Sequence, residues 1–75
     1  MSVYSPAYQD FIQRLRLARK QARLTQVEAS RRLGKPHSFI SKCELGERRV
    51  DLIEALRLAK LYKKPLSFFT RRLSV

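Results

Sequence analysis

The sequence predicts an all-α fold: a single domain over residues 1–75, built from five helices. Apolar residues recur at the spacing of amphipathic helices, and no segment alternates apolar and polar residues as a strand would. Glycine or proline follows the second, third and fourth apolar segments, and a capping residue precedes the first, second and fourth. A chain of 75 residues has room for one domain with one modest core.

The first helix is predicted to begin at Pro6, because Ser5 is a favourable N-cap and proline is favoured at the first helical position. Its apolar side chains recur at helical spacing and should face the core. They are Phe11, Ile12, Leu15, Ala18 and Ala22.

The second helix begins after Thr25, which forms the capping-box pattern with Glu28, and it extends to about residue 33. Gly34 ends this helix, since glycine adopts a left-handed conformation at little energetic cost. The chain must then turn, because a residue that precedes proline avoids the helical region. A third helix is predicted over 36–45, ending at the next glycine.

Asp51 is predicted to cap the fourth helix, with Glu54 three residues later as its capping-box partner. The apolar pattern of this helix predicts a buried face formed by Leu52, Ile53, Leu56, Ala59 and Tyr62. Pro65 then ends the helix. A short fifth helix follows, whose apolar residues are Leu66, Phe68, Phe69 and Leu73. We expect Leu66 and Phe69 to close the core.

The net charge is the clearest indication of function in the composition. Seventeen Lys and Arg residues oppose six acidic ones, giving a net charge of +11 and a pI near 11.0. The positive charge is spread along the chain and does not form a detachable tail. A folded domain with this charge should attract a polyanion: nucleic acid first, an anionic membrane second and an acidic protein third.

Several other classes of protein are disfavoured by the residue counts. The single cysteine, Cys43, cannot form an internal disulfide, and together with the single histidine, His37, it cannot supply the four ligands of a structural zinc site. Nucleophilic catalysis requires a third, orienting group, and two glycines cannot build a phosphate-binding loop. We therefore expect no enzyme, metal, cofactor or small-molecule ligand. No apolar run could span a membrane, and a cytoplasmic location is expected.

Two short helices joined by a glycine-containing turn are typical of the helix-turn-helix motif. The runs Leu24–Gly34 and Ile40–Arg48 resemble the Cro/C1-type helix-turn-helix family, also called XRE-like, with the motif itself at about 25–45. The resemblance implies a lambda-repressor-like five-helix fold and a third helix placed in the major groove. It also implies a transcriptional regulator, for example a repressor, that binds double-stranded DNA as a homodimer on paired half-sites.

Three residues match the base-contacting positions of that family: His37, Ser38 and Lys42. All three can exchange hydrogen bonds with base edges, and Lys42 suits guanine O6 and N7. Phe39 lies close to the same surface, with two alternatives open. Its ring either touches a thymine methyl group or folds back over the loop at Gly46.

Phosphate contacts are expected on both sides of the predicted DNA-contacting helix. The start of the second helix favours a phosphate because its backbone amides and dipole are positive. In the family the residue that matches Gln26 binds the DNA backbone. The residues expected to contact phosphates are Thr25, Gln26, Lys35, Ser41, Arg48 and Arg49.

Arg19 and Glu44 match a pair that forms an ion pair between the first and third helices in members of the family. Such a pair could fix the orientation of the DNA-contacting helix. The chain departs from the family pattern at Ala29, where a larger aliphatic residue is usual. It departs again at Pro36, which replaces a Ser or Thr cap and leaves the first turn of the third helix undefined.

A homodimer is expected because a small domain without disulfide or metal has little core to stabilise it. Apolar residues are frequent in the last ten positions, and we expect Phe68, Leu73 and Val75 to contact the second copy. The alternative is an antitoxin-like interaction module for which DNA binding is secondary, with a large apolar patch free in the isolated protein. Coating of nucleic acid without sequence preference is a further alternative.

Overall fold

A computed structural model describes residues 5–73 of the chain, and all the regular structure in this range is helical. The five helices are α1 (Pro6–Gln21), α2 (Gln26–Arg32), α3 (Phe39–Leu45), α4 (Leu52–Tyr62) and α5 (Ser67–Thr70). The long α1 lies at the centre and packs against α3, α4 and α5, while α2 packs against α3. The predicted all-α, five-helix fold is confirmed.

The predicted caps are present at three helix starts. Ser5 Oγ accepts a hydrogen bond from the Tyr8 amide at 3.2 Å. Thr25 and Glu28 exchange the two bonds of a capping box, at 3.0 and 2.9 Å. A second capping box joins Asp51 and Glu54 in the same way at the start of α4. These local interactions satisfy backbone amides that the helices themselves cannot pair.

The core forms around the apolar stripe of α1, as predicted. Ile12, Leu15 and Ala18 are buried there, and Phe11 and Ala22 pack against them. Phe69 from α5 is fully buried, and its ring meets the ring of Phe11 edge to face at 6.4 Å. This contact attaches the four-residue α5 to the long central helix.

The predicted buried face of α4 is wrong in part. The residues of α4 that enter the core are Ala55, Leu58, Ala59 and Tyr62. Leu52 and Ile53 are each 64% exposed and Leu56 is 44% exposed. The helix has apolar residues on two adjacent sides, and only one side can face α1. The small side chains of Ala55 and Ala59 on that side allow the two helices to approach closely.

Helix α3 begins at Phe39, three residues later than predicted. Residues 36–38 form a turn instead, closed by the Phe39 amide donating to the Pro36 carbonyl at 2.9 Å. Proline disfavours a helical conformation for Lys35 and supplies no amide hydrogen. Ser38 occupies the N-cap position but, within residues 5–73, its hydroxyl caps no amide. His37 therefore precedes the helix that the sequence predicts to contain it.

The C-terminal segment packs against its own chain. Phe68 is half-buried, with its ring edge to face against Phe69 at 5.7 Å and Lys64 Nζ 4.7 Å above it. Leu73 is half-buried beside a shallow depression that Tyr8 and Phe11 also line. Val75 lies outside the described residues. Phe68 and Leu73 thus offer less free apolar area than the sequence predicted.

Candidate nucleic-acid interface

Ser30 joins the two helices of the helix-turn-helix unit. Its hydroxyl donates to the Gln26 carbonyl at 2.9 Å and accepts from the Ile40 amide at 3.0 Å. The side chain is fully buried, so the bond to Ile40 satisfies an amide near the start of α3 that would otherwise lack a partner. A small hydroxyl residue therefore sets both the distance and the orientation between α2 and α3. The sequence alone does not indicate these two hydrogen bonds.

A buried charged network connects α1, α2 and α3. Arg19 donates to Glu44 through Nε at 2.7 Å and through Nη2 at 3.2 Å, and it also donates to the Leu24 carbonyl at 2.8 Å. Glu44 accepts a further bond from Gln26 Nε2 at 3.0 Å. The structure thus contains the ion pair that the family resemblance implied. Gln26 also belongs to this network, because the Glu44 carboxylate holds its side-chain amide beside the start of α2.

The predicted base-contacting residues lie together on the outer side of the α3 start. His37, Ser38 and Lys42 are all exposed, and Ser41 is half-exposed. The Lys42 amide donates to the Ser38 carbonyl at 3.0 Å, so these two side chains lie one helical turn apart on one face. Lys35, Ser38 and Lys42 line one shallow groove. This surface presents hydrogen-bonding groups without a carboxylate among its lining residues.

Phe39 lines the same groove but contributes little exposed area to this outer surface. Its ring is only 7% exposed and forms part of the core. Arg48 Cζ lies 4.9 Å from the ring centroid and Lys35 Nζ lies 5.4 Å from it, so cations cover the ring where the core does not. The proposed thymine contact is therefore not supported, because little ring area is left for a methyl group. Of the two alternatives, the inward-folded one fits the structure.

Arg48 forms an ion pair with Glu54 that the sequence did not predict. Its Nη1 and Nη2 atoms each donate to Glu54, both at 2.7 Å, in a fork-to-fork arrangement. These hydrogen bonds hold the pKa of the Glu54 carboxyl below its ordinary value. The sequence predicts Glu54 only as the capping-box partner of Asp51, and it forms that box as well. The positive charge of Arg48 is therefore largely offset within the chain, although its side chain lines the same groove as Lys42, and its phosphate contact stays a prediction.

The remaining predicted phosphate contacts differ in their surroundings. Thr25 is exposed, with its hydroxyl engaged by the Glu28 amide. Arg49 is exposed, and its guanidinium lies 4.5 Å from the Tyr8 ring centroid. Lys35 lies in the turn between α2 and α3, beside the groove described above. These residues flank the α3 surface.

Cys43 and His37 do not form a site together. Cys43 is buried in the core, and burial raises the pKa of its thiol, which favours the neutral form. His37 is exposed at the opposite end of the α3 segment. Among residues 5–73, no helix combines the length and apolar character needed to cross a bilayer.

The two helices joined by a tight turn, with an exposed polar face on the second helix, define a helix-turn-helix DNA-binding domain. The family model described as helix-turn-helix matches residues 15–69. The chain therefore belongs to the Cro/C1-type (XRE) helix-turn-helix family of DNA-binding regulators. Neither a curated protein nor a solved structure shows significant similarity to it.

Proposed function

We propose that the chain is a sequence-specific transcriptional regulator that binds a pseudo-palindromic operator in double-stranded DNA as a homodimer. The observation that carries this proposal is the exposed group formed by His37, Ser38 and Lys42 on an α3 that is held rigidly by Ser30 and Glu44. A DNA-binding helix must be oriented by the rest of its domain before its side chains can discriminate between bases. Such a regulator acts in the cytoplasm.

Base recognition is assigned to the outer side of the α3 start. Lys42 donates to the acceptor atoms of guanine in the major groove, and Ser38 donates to or accepts from a neighbouring base edge. His37 lies in the turn before α3 and reaches the adjacent base pair from there. Ser38 and Lys42 lie one turn apart, so these contacts fall on neighbouring base pairs.

Phosphate contacts are assigned to the residues that flank this surface. An amide nitrogen carries two hydrogens, and Glu44 receives one from Gln26, so the other can bind a phosphate at the start of α2. Lys35 contributes a full positive charge beside the groove. The proposed set is Thr25, Gln26, Lys35, Ser41 and Arg49.

The test of base recognition is Lys42→Ala. Loss of a good bidentate contact to guanine should weaken binding to the preferred sequence by about 1–3 kcal/mol and relax the preference at one or two base pairs. Binding to duplexes in which those base pairs are already replaced should change much less. Equilibrium titrations against a panel of single-base-pair variants of the preferred duplex measure both quantities.

Lys20→Ala is the matched control, because it removes the same charge from an exposed position on α1. It should lower the affinity for all duplexes by a similar factor and leave the base preference unchanged. If Lys42→Ala behaves like this control, Lys42 positions the protein on the backbone and does not discriminate between bases.

The alternative function is an antitoxin-like interaction module in which DNA binding is secondary. It predicts an exposed apolar patch, and the outer side of α4 carries one. The same patch would also serve a homodimer. The identity of its occupant therefore separates the two functions.

A further inference from the structure

The three exposed aliphatic side chains of α4, Leu52, Ile53 and Leu56, form one surface, here called the α4 patch. Their spacing of i, i+1 and i+4 places them on the same side of the helix. We infer that the α4 patch is the surface through which two copies of the chain pair, with the two α4 helices antiparallel. The inference rests on the homodimer of the proposed function and moves its contact away from the C-terminal segment.

Nothing within the described chain covers the patch. Leu52 and Ile53 each leave 64% of their area in water, although they belong to a helix whose opposite side enters the core. By contrast, Leu17 on α1 lies beside Phe68 in a depression that is lined mainly by arginine side chains, so it does not form a comparable aliphatic surface. Adjacent large aliphatic residues on one helix face are typical of a surface that a partner covers.

The local charge favours a second copy as the occupant. Residues 45–56 carry three carboxylates and two guanidinium groups, for a net charge of −1, whereas the rest of the chain carries 15 cations and three acids, for a net charge of +12. Most surfaces of this chain would repel a second copy. The α4 patch lies in a segment of slight negative charge, where two copies can meet with less of that repulsion, and an acidic partner would be attracted more strongly elsewhere.

The ends of α4 have opposite charges, which favours the antiparallel arrangement. Asp51 and Glu54 lie at its start, and Lys60 lies in its last turn. In an antiparallel pair that is centred on the α4 patch, Asp51 of each helix lies beside the exposed Arg57 of the other, while Lys60 lies beyond the contact. The helix dipoles are then also opposed, which is favourable.

Pairing through α4 would also position both DNA-contacting helices. A loop over residues 46–51 is all that separates α3 from α4, so a pair joined at the α4 start holds its two α3 helices at a fixed distance. Each chain measures 31 × 24 × 20 Å. Two such chains side by side are compatible with half-sites one DNA turn apart, about 34 Å.

The test is Ile53→Glu, measured by sedimentation equilibrium over a wide concentration range. Glutamate has a higher helix propensity than isoleucine and is favourable in the first turn of a helix, so the variant should fold. Burial of a charge at the pair interface should raise the dissociation constant of the dimer by roughly 100-fold, because both copies are changed. Leu56→Gln, which keeps the net charge, should also weaken pairing.

Leu17→Glu is the matched control, since it makes the same kind of change at a 48% exposed aliphatic residue on α1. It should dimerise like the unchanged chain. The inference is overturned if the unchanged chain is monomeric both alone and on DNA, if Ile53→Glu still dimerises normally, or if Leu17→Glu disrupts the dimer equally. A monomer that pairs only with a different protein counts among the overturning results.

This test is independent of DNA recognition. A chain that dimerises through α4 but shows no base preference would support the inference and contradict the proposed function. A chain that binds a two-fold site with clear base preference, but dimerises through a surface other than α4, would support the proposed function and contradict the inference.

Discussion

Glu44→Ala is expected to lower the free energy of unfolding by about 3–5 kcal/mol, because it leaves the buried guanidinium of Arg19 without its charged partner. The Glu44 side chain is only 5% exposed and accepts three hydrogen bonds. Small domains have a total stability of roughly 5–15 kcal/mol, so the loss is a large fraction of it. Urea unfolding followed by circular dichroism measures the change.

Two further variants separate the ion pair from simple packing. Glu44→Gln keeps an acceptor oxygen near Arg19 and should be less destabilising than the alanine variant. The double variant Arg19→Met with Glu44→Leu replaces both charges with apolar groups and should recover much of the lost stability. A loss below about 1 kcal/mol in Glu44→Ala would mean that the network is no more than an exposed ion pair.

The affinity for DNA should fall steeply with salt, and Lys35→Ala should make that dependence shallower. A protein that neutralises 6–10 phosphates loses roughly 10³–10⁵ in affinity between 50 and 200 mM salt. Each phosphate contact contributes about 0.9 to the slope of log affinity against log salt, so Lys35→Ala in both copies should reduce it by about 1.8. Titrations of one duplex at several salt concentrations give the slope.

The pair Arg48→Met with Glu54→Gln is the control for this measurement. It removes the ion pair beside the same groove while the net charge stays constant. The slope should remain close to that of the unchanged chain, provided that circular dichroism shows the domain still folded. If the salt dependence became as shallow as in Lys35→Ala, Arg48 would contact a phosphate. That result would contradict the conclusion that Glu54 offsets the charge of Arg48.

Features that depend on neighbouring residues could be predicted from the sequence. Both capping boxes form from residues three positions apart, and the core stripe of α1 follows from helical spacing alone. The ion pair between Arg19 and Glu44 joins residues far apart in sequence. It could be expected only because the helix-turn-helix pattern resembles a known family.

Features that depend on how the helices pack could not be predicted in this way. Helix α4 has two apolar sides, and periodicity does not indicate which of them faces α1. The burial of Phe39 and the pairing of Arg48 with Glu54 both depend on where the loop after α3 meets α4. An acidic residue that already forms a cap gives no sign in the sequence of a second partner. Pro36 indicates a turn before α3, but the sequence does not show that the helix begins only at Phe39.

Selection of bound sequences from a pool of random duplex DNA tests the central claim most directly. If α3 discriminates between bases and the chain acts as a two-fold pair, the selected sequences should share a pseudo-palindrome. Its half-sites should lie about 10 base pairs apart, centre to centre. A bound pool with the same base composition and no more shared sequence than the starting pool would contradict sequence-specific recognition by this domain.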